Sequence, residues 1–200
     1  MESLDEGGQG AALRPVEAKI QDDRALAAAL LERDRKATAE FIARYTDPIY
    51  LYVRSRLIPR TDLVDDLVQD IFVAAWENLA RYRGDSPLGS WLYGIARHKV
   101  ENYYRACLRA PLPLDEESQD SAAAVVEPDL DGFLDRDRLQ KKTWKVLAGL
   151  PEAYSLALLW RYWEQCSAQE MAMRTGKTQK AIERLLARAR EMFRERWSHE

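Results

Sequence analysis

The sequence predicts an all-α protein in which an acidic linker joins two small helical domains. Apolar residues recur at the spacing of amphipathic helices over 22–109 and again over 139–197. The linker, 110–138, lacks this periodicity, and its residues 110–137 contain three prolines and nine acids against one base. With 200 residues, of which 46% are hydrophobic, the chain can fill two cores. Residues 1–21 have no periodic apolar pattern, and we expect a disordered tail there.

The beginning of the first domain, 22–109, is predicted to contain two helices. Asp22 or Asp23 can cap a helix that ends near residue 33. A longer helix is expected from about residue 36 to residue 57, with an adjustment at Pro48 because proline cannot donate a backbone hydrogen bond.

The stretch from Asp62 to Arg105 predicts two further helices with opposite chemistry. One carries an acidic and polar stripe, and the other carries aromatic and basic residues, with a Gly/Pro break between them. The helical spacing predicts that their buried seams are Leu63, Leu67, Ile71, Ala75 and Leu79, followed by Leu88, Leu92, Ile95, Val100, Tyr103 and Cys107. A solvated helix face is the simpler explanation of the acidic stripe taken alone.

The second domain, 139–197, ends in a pattern typical of a helix-turn-helix. Its first helix is expected to bury Leu139, Trp144 or Thr143, Leu147 and Leu150, and the next follows Pro151 with Tyr154, Leu158 and Tyr162 on one line. Ser167 then caps a short helix, Gly176 breaks it, and Thr178 caps a long basic helix suited to the major groove. A helical hairpin of no special function would show a similar pattern.

Charge is segregated along the chain. The formal net charge is −3, yet residues 110–137 sum to −8, and the part from Lys141 to the end, with twelve bases and seven acids, sums to +5. Binding depends on where charge lies, so this composition is compatible with nucleic acid. No signal peptide or membrane span is evident, and we expect a soluble intracellular protein. Two Cys and two His argue against a disulfide framework or a metal site.

No cofactor is expected, and the sequence does not predict an enzyme. The chain lacks a nucleophile–base pair, a Gly-rich phosphate loop and a metal cluster.

Four segments together resemble the sigma-70 family of bacterial transcription initiation factors, specifically the extracytoplasmic-function (ECF) sigma factors. They are VDDLVQDIF at 64–72, SWLYGIARHKVENYYR at 90–105, LPEAYSLALLWRYWEQCSAQEMAMRTG at 150–176 and AIERLLARAR at 181–190. The likeness spans about 25–195 in the family's order and spacing. It implies a region 2 domain and a region 4 domain in a cytoplasmic bacterial protein that binds core RNA polymerase through its largest subunits. It also implies recognition of double- and single-stranded promoter DNA, DNA melting, and control by an anti-sigma factor or a stress signal.

The resemblance also implies three sets of binding residues. Core-polymerase contacts fall on Asp65, Asp66, Gln69, Asp70 and Phe72. Contacts with the minus-10 element fall on Tyr82, Arg83, Trp91, Arg97, His98, Asn102 and Arg105. Contacts with the minus-35 element fall on Lys177, Thr178, Gln179, Lys180, Glu183, Arg184 and Arg188. Stacking on unpaired bases needs aromatic faces and cations, but Trp91 and Tyr103 are equally explained as structural residues.

Some residues depart from the family pattern. His98 stands where Asn is common, Asn102 where Asp is common, and the stretch 181–185 reads Ala-Ile-Glu-Arg-Leu where many members have Thr-Val-Lys-Ser-Arg. In compensation, Glu183 can accept from a cytosine amino group and Arg184 can bind a guanine edge.

Three alternatives remain at this stage. The acidic linker either threads through positively charged polymerase channels or is a plain tether. The whole chain could instead be a helix-turn-helix transcriptional regulator that acts without polymerase. It could also be an adaptor that binds only helical partners.

Overall fold

All regular structure among the described residues is helical, as the sequence predicts. The computed structural model describes the backbone of 15–110 and 134–200 and the side chains of 19–110 and 138–200. The α-helices are α1 (Pro15–Leu31), α2 (Arg35–Arg54), α3 (Val64–Asn78), α4 (Leu88–Arg109), α5 (Leu134–Ala148), α6 (Glu152–Leu158), α7 (Ala168–Thr175) and α8 (Gln179–His199). Short 3₁₀ turns flank α3, and α6 continues as a π-helical turn over Leu159–Trp163. The rest of the predicted tail and linker, 1–14 and 111–133, lies outside the described residues.

Helix α1 begins earlier than the sequence predicts. It starts at Pro15, inside the predicted tail, so neither Asp22 nor Asp23 caps it. Asp23 is instead fully buried in mid-helix, where its Oδ2 accepts from the Leu88 backbone N–H at 2.8 Å. Since Leu88 is the first residue of α4, Asp23 acts as a remote cap that fixes the start of α4 against α1.

Helix α2 runs without interruption through Pro48. It begins after Asp34, whose side chain accepts from the backbone N–H groups of Lys36 and Ala37 at 2.7 and 2.8 Å. It ends at Arg54, slightly before the predicted end at residue 57. The buried residues Phe41, Tyr45, Ile49 and Val53 form the stripe that anchors this helix to the first domain.

The buried seams of α3 and α4 are shifted by one residue at several positions. The buried residues are Val64, Val68, Ile71, Ala75 and Leu79 in one seam and Leu88, Leu92, Ala96, Val100, Tyr104 and Leu108 in the other. The predicted residues Leu63, Leu67, Ile95, Tyr103 and Cys107 are only half-buried and pack against the core from the side. Tyr104, which the predicted seam leaves out, is fully buried because the second domain covers that side of α4.

The second domain is built around α6 and its π-helical extension. Leu156, Trp160, Met171, Ile182 and Ala189 are fully buried among α6, α7 and α8. The prediction that Leu139 is buried is wrong, since it is 60% exposed. Tyr162, on the predicted line of α6, is 56% exposed. No described helix is both long and apolar enough to span a bilayer.

Candidate protein and nucleic-acid interfaces

The acidic face of α3 is open to solvent. The side chains of Asp65, Asp66, Gln69 and Asp70 are all exposed. Asp65 and Asp66 lie in the first helical turn, where the helix dipole favours negative charge. Asp70 lies 3.6 Å from the Lys99 ammonium, and an ion pair this open to solvent contributes little to stability. The face therefore presents carboxylates that are available to a partner.

Phe72 differs from the rest of the predicted polymerase set. It is half-buried, and its ring packs edge-on against Phe41 with 5.7 Å between centroids. Next to the acidic face, α3 exposes two apolar residues that the sequence analysis did not select. Val73 is 50% exposed and Trp76 is 43% exposed. Their spacing from Gln69 and Asp70 places them on the same side of α3. That spacing is the signal in the sequence that could have identified them.

The predicted minus-10 residues divide into an exposed cationic group and a half-buried aromatic pair. Arg83, Arg97 and His98 are exposed. Tyr82 and Trp91 pack against each other with 5.6 Å between ring centroids. The Tyr82 hydroxyl also donates to the Ser86 carbonyl at 2.7 Å, so this pair braces the loop before α4.

Two further minus-10 candidates form a hydrogen bond with each other. Asn102 and Arg105 are half-buried, and the Arg105 guanidinium donates to the Asn102 side-chain oxygen. Tyr93, which was not selected, is 37% exposed and makes a T-shaped contact with Tyr52 with 5.3 Å between ring centroids. This partly exposed aromatic ring on the same helix is an additional candidate for base stacking.

The helix-turn-helix has the capping chemistry that the sequence predicts. Ser167 and Glu170 form a reciprocal capping box at the start of α7. The hydrogen bonds from Ser167 lower the pKa of the Glu170 carboxyl. Gly176 ends α7 in the left-handed conformation, with φ of 73°, which glycine adopts without steric cost. The Thr178 hydroxyl accepts from the Ala181 N–H at 3.2 Å and starts α8.

The first turns of α8 present a cationic line to solvent. Lys180, Arg184 and Arg188 are exposed and follow one another at four-residue spacing. Ile182, Leu185 and Leu186 are buried on the opposite side and hold the helix to the domain. The Gln179 amide donates to Glu183 at 2.8 Å, so these two candidate base-reading residues are paired. The side chain of Thr178 serves the cap, and Lys177 is half-buried.

The two domains pack directly against each other through α4. Tyr104 of α4 and Trp160 of the second domain are both fully buried, and their rings meet at 5.7 Å in a T-shaped arrangement. The Tyr104 hydroxyl donates to the Arg56 carbonyl at 2.8 Å, and burial raises the pKa of this phenol well above its usual value. The Arg56 carbonyl thereby fixes the ring of Tyr104, against which the indole of Trp160 packs.

An apolar groove with a volume of about 280 Å³ opens on the second domain. It is lined by Thr143, Leu147, Leu158, Leu159, Tyr162, Trp163, Arg190, Phe193 and Arg194. The sequence analysis missed it, although the run from Leu158 to Trp163 contains more apolar residues than one helical seam can bury.

Comparison with known proteins identifies both domains. The family model for sigma-70 region 2 matches residues 41–109, and the model for sigma-70 region 4 matches residues 141–193. The chain is 30% identical over 156 residues to the ECF RNA polymerase sigma-E factor of Escherichia coli K12, covering 75% of this chain and 81% of the relative. It is 41% identical over 83 residues to the RNA polymerase sigma factor CnrH of Cupriavidus metallidurans, covering 42% of this chain and 43% of that protein.

One solved structure with a similar chain is that of CnrH in complex with the cytosolic domain of CnrY. The match has 27% sequence identity and a TM-score of 0.40 and covers 89% of this chain and 98% of that one. Because both family models match and the match to the sigma-E factor covers most of both chains, the chain belongs to the sigma-70 family, in the ECF group of RNA polymerase sigma factors.

Proposed function

We propose that this protein is a dissociable initiation subunit that binds core RNA polymerase, recognises the minus-10 and minus-35 elements of a promoter and helps to open the DNA. The observation that carries the proposal is the presence of both sigma-70 domains in one chain, the second with an exposed cationic line at the start of α8. The alternative of a helix-turn-helix regulator that acts alone does not account for the region 2 match.

Each surface has a distinct role in this proposal. The acidic face of α3 binds the polymerase, with Asp66 and Gln69 at its centre. The exposed cations of α4 and the loop before it hold the phosphates of the melted strand, and nearby aromatic faces stack on its bases. On α8, Lys180 and Arg188 position the protein on duplex phosphates while Glu183 and Arg184 read base edges.

Regulation and cellular context follow from family membership. We place the protein in the bacterial cytoplasm, where RNA polymerase acts. An anti-sigma factor is the regulatory partner that we expect. We assign no catalytic group to this chain, because the chemistry of RNA synthesis belongs to the polymerase.

The test is run-off transcription with core polymerase on a promoter library, combined with a titration of core enzyme. Asp66→Arg reverses a charge on the proposed polymerase face and is expected to weaken core binding at least tenfold. Asp47→Arg is the matched control, because Asp47 is also an exposed acid of the first domain but lies on α2. Equal affinities of the two variants would refute the interface assignment. Absence of core-dependent transcripts from the unmodified protein would refute the function itself.

A further inference from the structure

We infer that α1 is a positioning element for promoter recognition, in which Asp23 and Arg24 hold the loop between α3 and α4, residues 82–87, in the shape that meets the minus-10 element. The inference rests on the proposed function. Helix α1 lies outside residues 41–109, which the region 2 model matches, and neither Asp23 nor Arg24 is among the predicted binding residues. The helix packs on both sides of the loop, against the turn Leu79–Arg81 and against α4.

The loop has few internal contacts that could fix its shape. The Tyr82 hydroxyl donates to the Ser86 carbonyl at 2.7 Å. Gly84 has a left-handed backbone, with φ of 72°, and glycine is the residue with the most freedom to leave such a conformation. Pro87 precedes α4 and makes no side-chain cap to it. Contacts from outside the loop therefore contribute to its shape.

Arg24 makes the contact at the middle of the loop. Its guanidinium donates from Nη2 to the Gly84 carbonyl at 3.1 Å. The Arg24 stem lies so close to Gly84 that a Cβ there would come within 2.6 Å of Cγ and 2.0 Å of Nε. Gly84 is buried, whereas Arg83 and Asp85 on either side of it are exposed. Because Gly84 is fixed against α1, the side chains of Arg83 and Asp85 are directed to solvent, where a promoter strand can reach them.

Asp23 makes the contact at the end of the loop. Its Oδ2 accepts from the Leu88 N–H at 2.8 Å, a donor that has no acceptor within α4 because Leu88 is the first residue of that helix. Its Oδ1 lies 3.5 Å from Arg44, so the carboxylate is also held from α2. Two consecutive residues of α1 thus fix the loop at its centre and at its junction with α4.

The shape of this loop matters for base recognition in particular. Two predicted minus-10 residues, Tyr82 and Arg83, lie in the loop, and a third, Trp91, packs on the Tyr82 ring from the first turn of α4. A hydrogen bond to a base edge requires a defined orientation, whereas a contact with phosphate carries no sequence information. A loop that is held before binding also loses less conformational entropy on binding. Release of the loop should therefore reduce discrimination between minus-10 sequences.

Substitution of Arg24 in the full chain tests the inference. Arg24→Ala removes both the donor and the stem, and Arg24 is exposed, so the buried core is left intact. Lys19→Ala is the matched control, because Lys19 is also an exposed cation of α1 and the substitution makes the same change in charge. Arg24→Lys is the rescue variant. It keeps a donor on a long stem, and the contact with Gly84 uses a single donor nitrogen.

The first measurement is hydrogen exchange in the free protein, without polymerase or DNA. The backbone amides of residues 83–88 are expected to exchange about fivefold faster in Arg24→Ala than in Lys19→Ala, and the amides of α8 at equal rates in both. This measurement separates positioning from direct contact, since a residue that only touched DNA could not alter exchange in its absence. Loop exchange equal to that of the control would overturn the inference.

The second measurement is run-off transcription with core polymerase on promoters that differ at single minus-10 or minus-35 positions. The ratio of transcripts between strong and weak minus-10 variants is expected to fall about fivefold in Arg24→Ala and to stay within about twofold in Lys19→Ala and Arg24→Lys. The corresponding minus-35 ratio should stay within about twofold in all three. An unchanged minus-10 ratio, or an equal loss at both elements, would overturn the inference.

A further variant covers loss of folding. If circular dichroism shows that Arg24→Ala has lost helix, Arg24→Met replaces it, because methionine keeps a stem to pack on Gly84 and lacks the donor. The expected loss in the minus-10 ratio is then about threefold, and a ratio equal to that of Lys19→Ala would overturn the inference. Absence of core-dependent transcripts from the unmodified protein refutes the proposed function. Transcription with an unchanged minus-10 ratio in the Arg24 variant refutes only the positioning role of α1.

Discussion

The remote cap of α4 gives a quantitative prediction about the stability of the first domain. Asp23→Ala removes the carboxylate that accepts from the Leu88 N–H at 2.8 Å and leaves that buried donor without its partner. A hydrogen bond to a charged group contributes about 1.5–3 kcal/mol to stability. The second contact of Asp23, at 3.5 Å from the half-exposed Arg44, contributes under about 1 kcal/mol. We therefore expect the free energy of unfolding to fall by about 2–3 kcal/mol.

Urea denaturation measures this loss, and Asp22→Ala is its matched control. Asp22 is the preceding residue of α1 and is exposed, so its substitution should change stability by less than about 0.5 kcal/mol. Asp23→Asn retains an acceptor and should lie between the two. Hydrogen exchange in the first turn of α4 should accelerate in Asp23→Ala but not in Asp22→Ala. Equal denaturation midpoints for the two alanine variants would refute the remote cap.

Three further predictions concern the second domain and the domain interface. Arg184→Ala should reduce minus-35 specificity by about 1–3 kcal/mol in a binding assay across promoter variants, whereas an equal loss on every sequence would identify a phosphate contact. Ser167→Ala should cost about 1 kcal/mol in thermal unfolding. Because the hydrogen bonds that Ser167 donates lower the pKa of Glu170, only the contribution of those bonds should be present above the unfolded carboxyl pKa and disappear as the pH falls through the folded value. The bond that Ser167 Oγ accepts from the Glu170 N–H does not depend on this ionisation. Burial first, and then Glu152, raises the pKa of Cys107 to about 12. A thiol reagent at pH 8 should therefore react with Cys107 roughly a thousandfold more slowly than with a free cysteine, and equal rates would contradict this prediction.

Local patterns predicted the helices and their caps well. The all-α class and the capping roles of Ser167, Gly176 and Thr178 follow from residue chemistry within a few positions of each helix end, and the structure confirms them. Asp23 shows the limit of this reasoning. An acid near an expected helix start resembles an N-cap, but its partner is 65 residues away in sequence, and local spacing contains no information about such a partner.

Burial was predicted less well where a helix has more than one neighbour. Periodicity identifies the centre of an apolar stripe, but α4 packs against α1, α2 and α3 and also against the second domain. That additional contact buries Tyr104 and leaves Tyr103 at the rim, one residue away from the prediction. The reverse error occurred at Leu139, because an apolar residue on a regular stripe is predicted to be buried even when its face remains open.

The hydrogen bond between Gln179 and Glu183 concerns the part of α8 that departs most from the family pattern, residues 181–185. It suggests how this part could still bind DNA. Glu183 stands where many family members have a cation, and an isolated acid there would repel phosphate. In the structure its carboxylate accepts from Gln179, and the cations Lys180 and Arg184 on the same turn of α8 are exposed. Two cations thus accompany the one acid in this turn, and the hydrogen bond from Gln179 orients the acid. A carboxylate oriented in this way can discriminate between base edges, since it accepts from a cytosine amino group and is repelled by the acceptors of guanine.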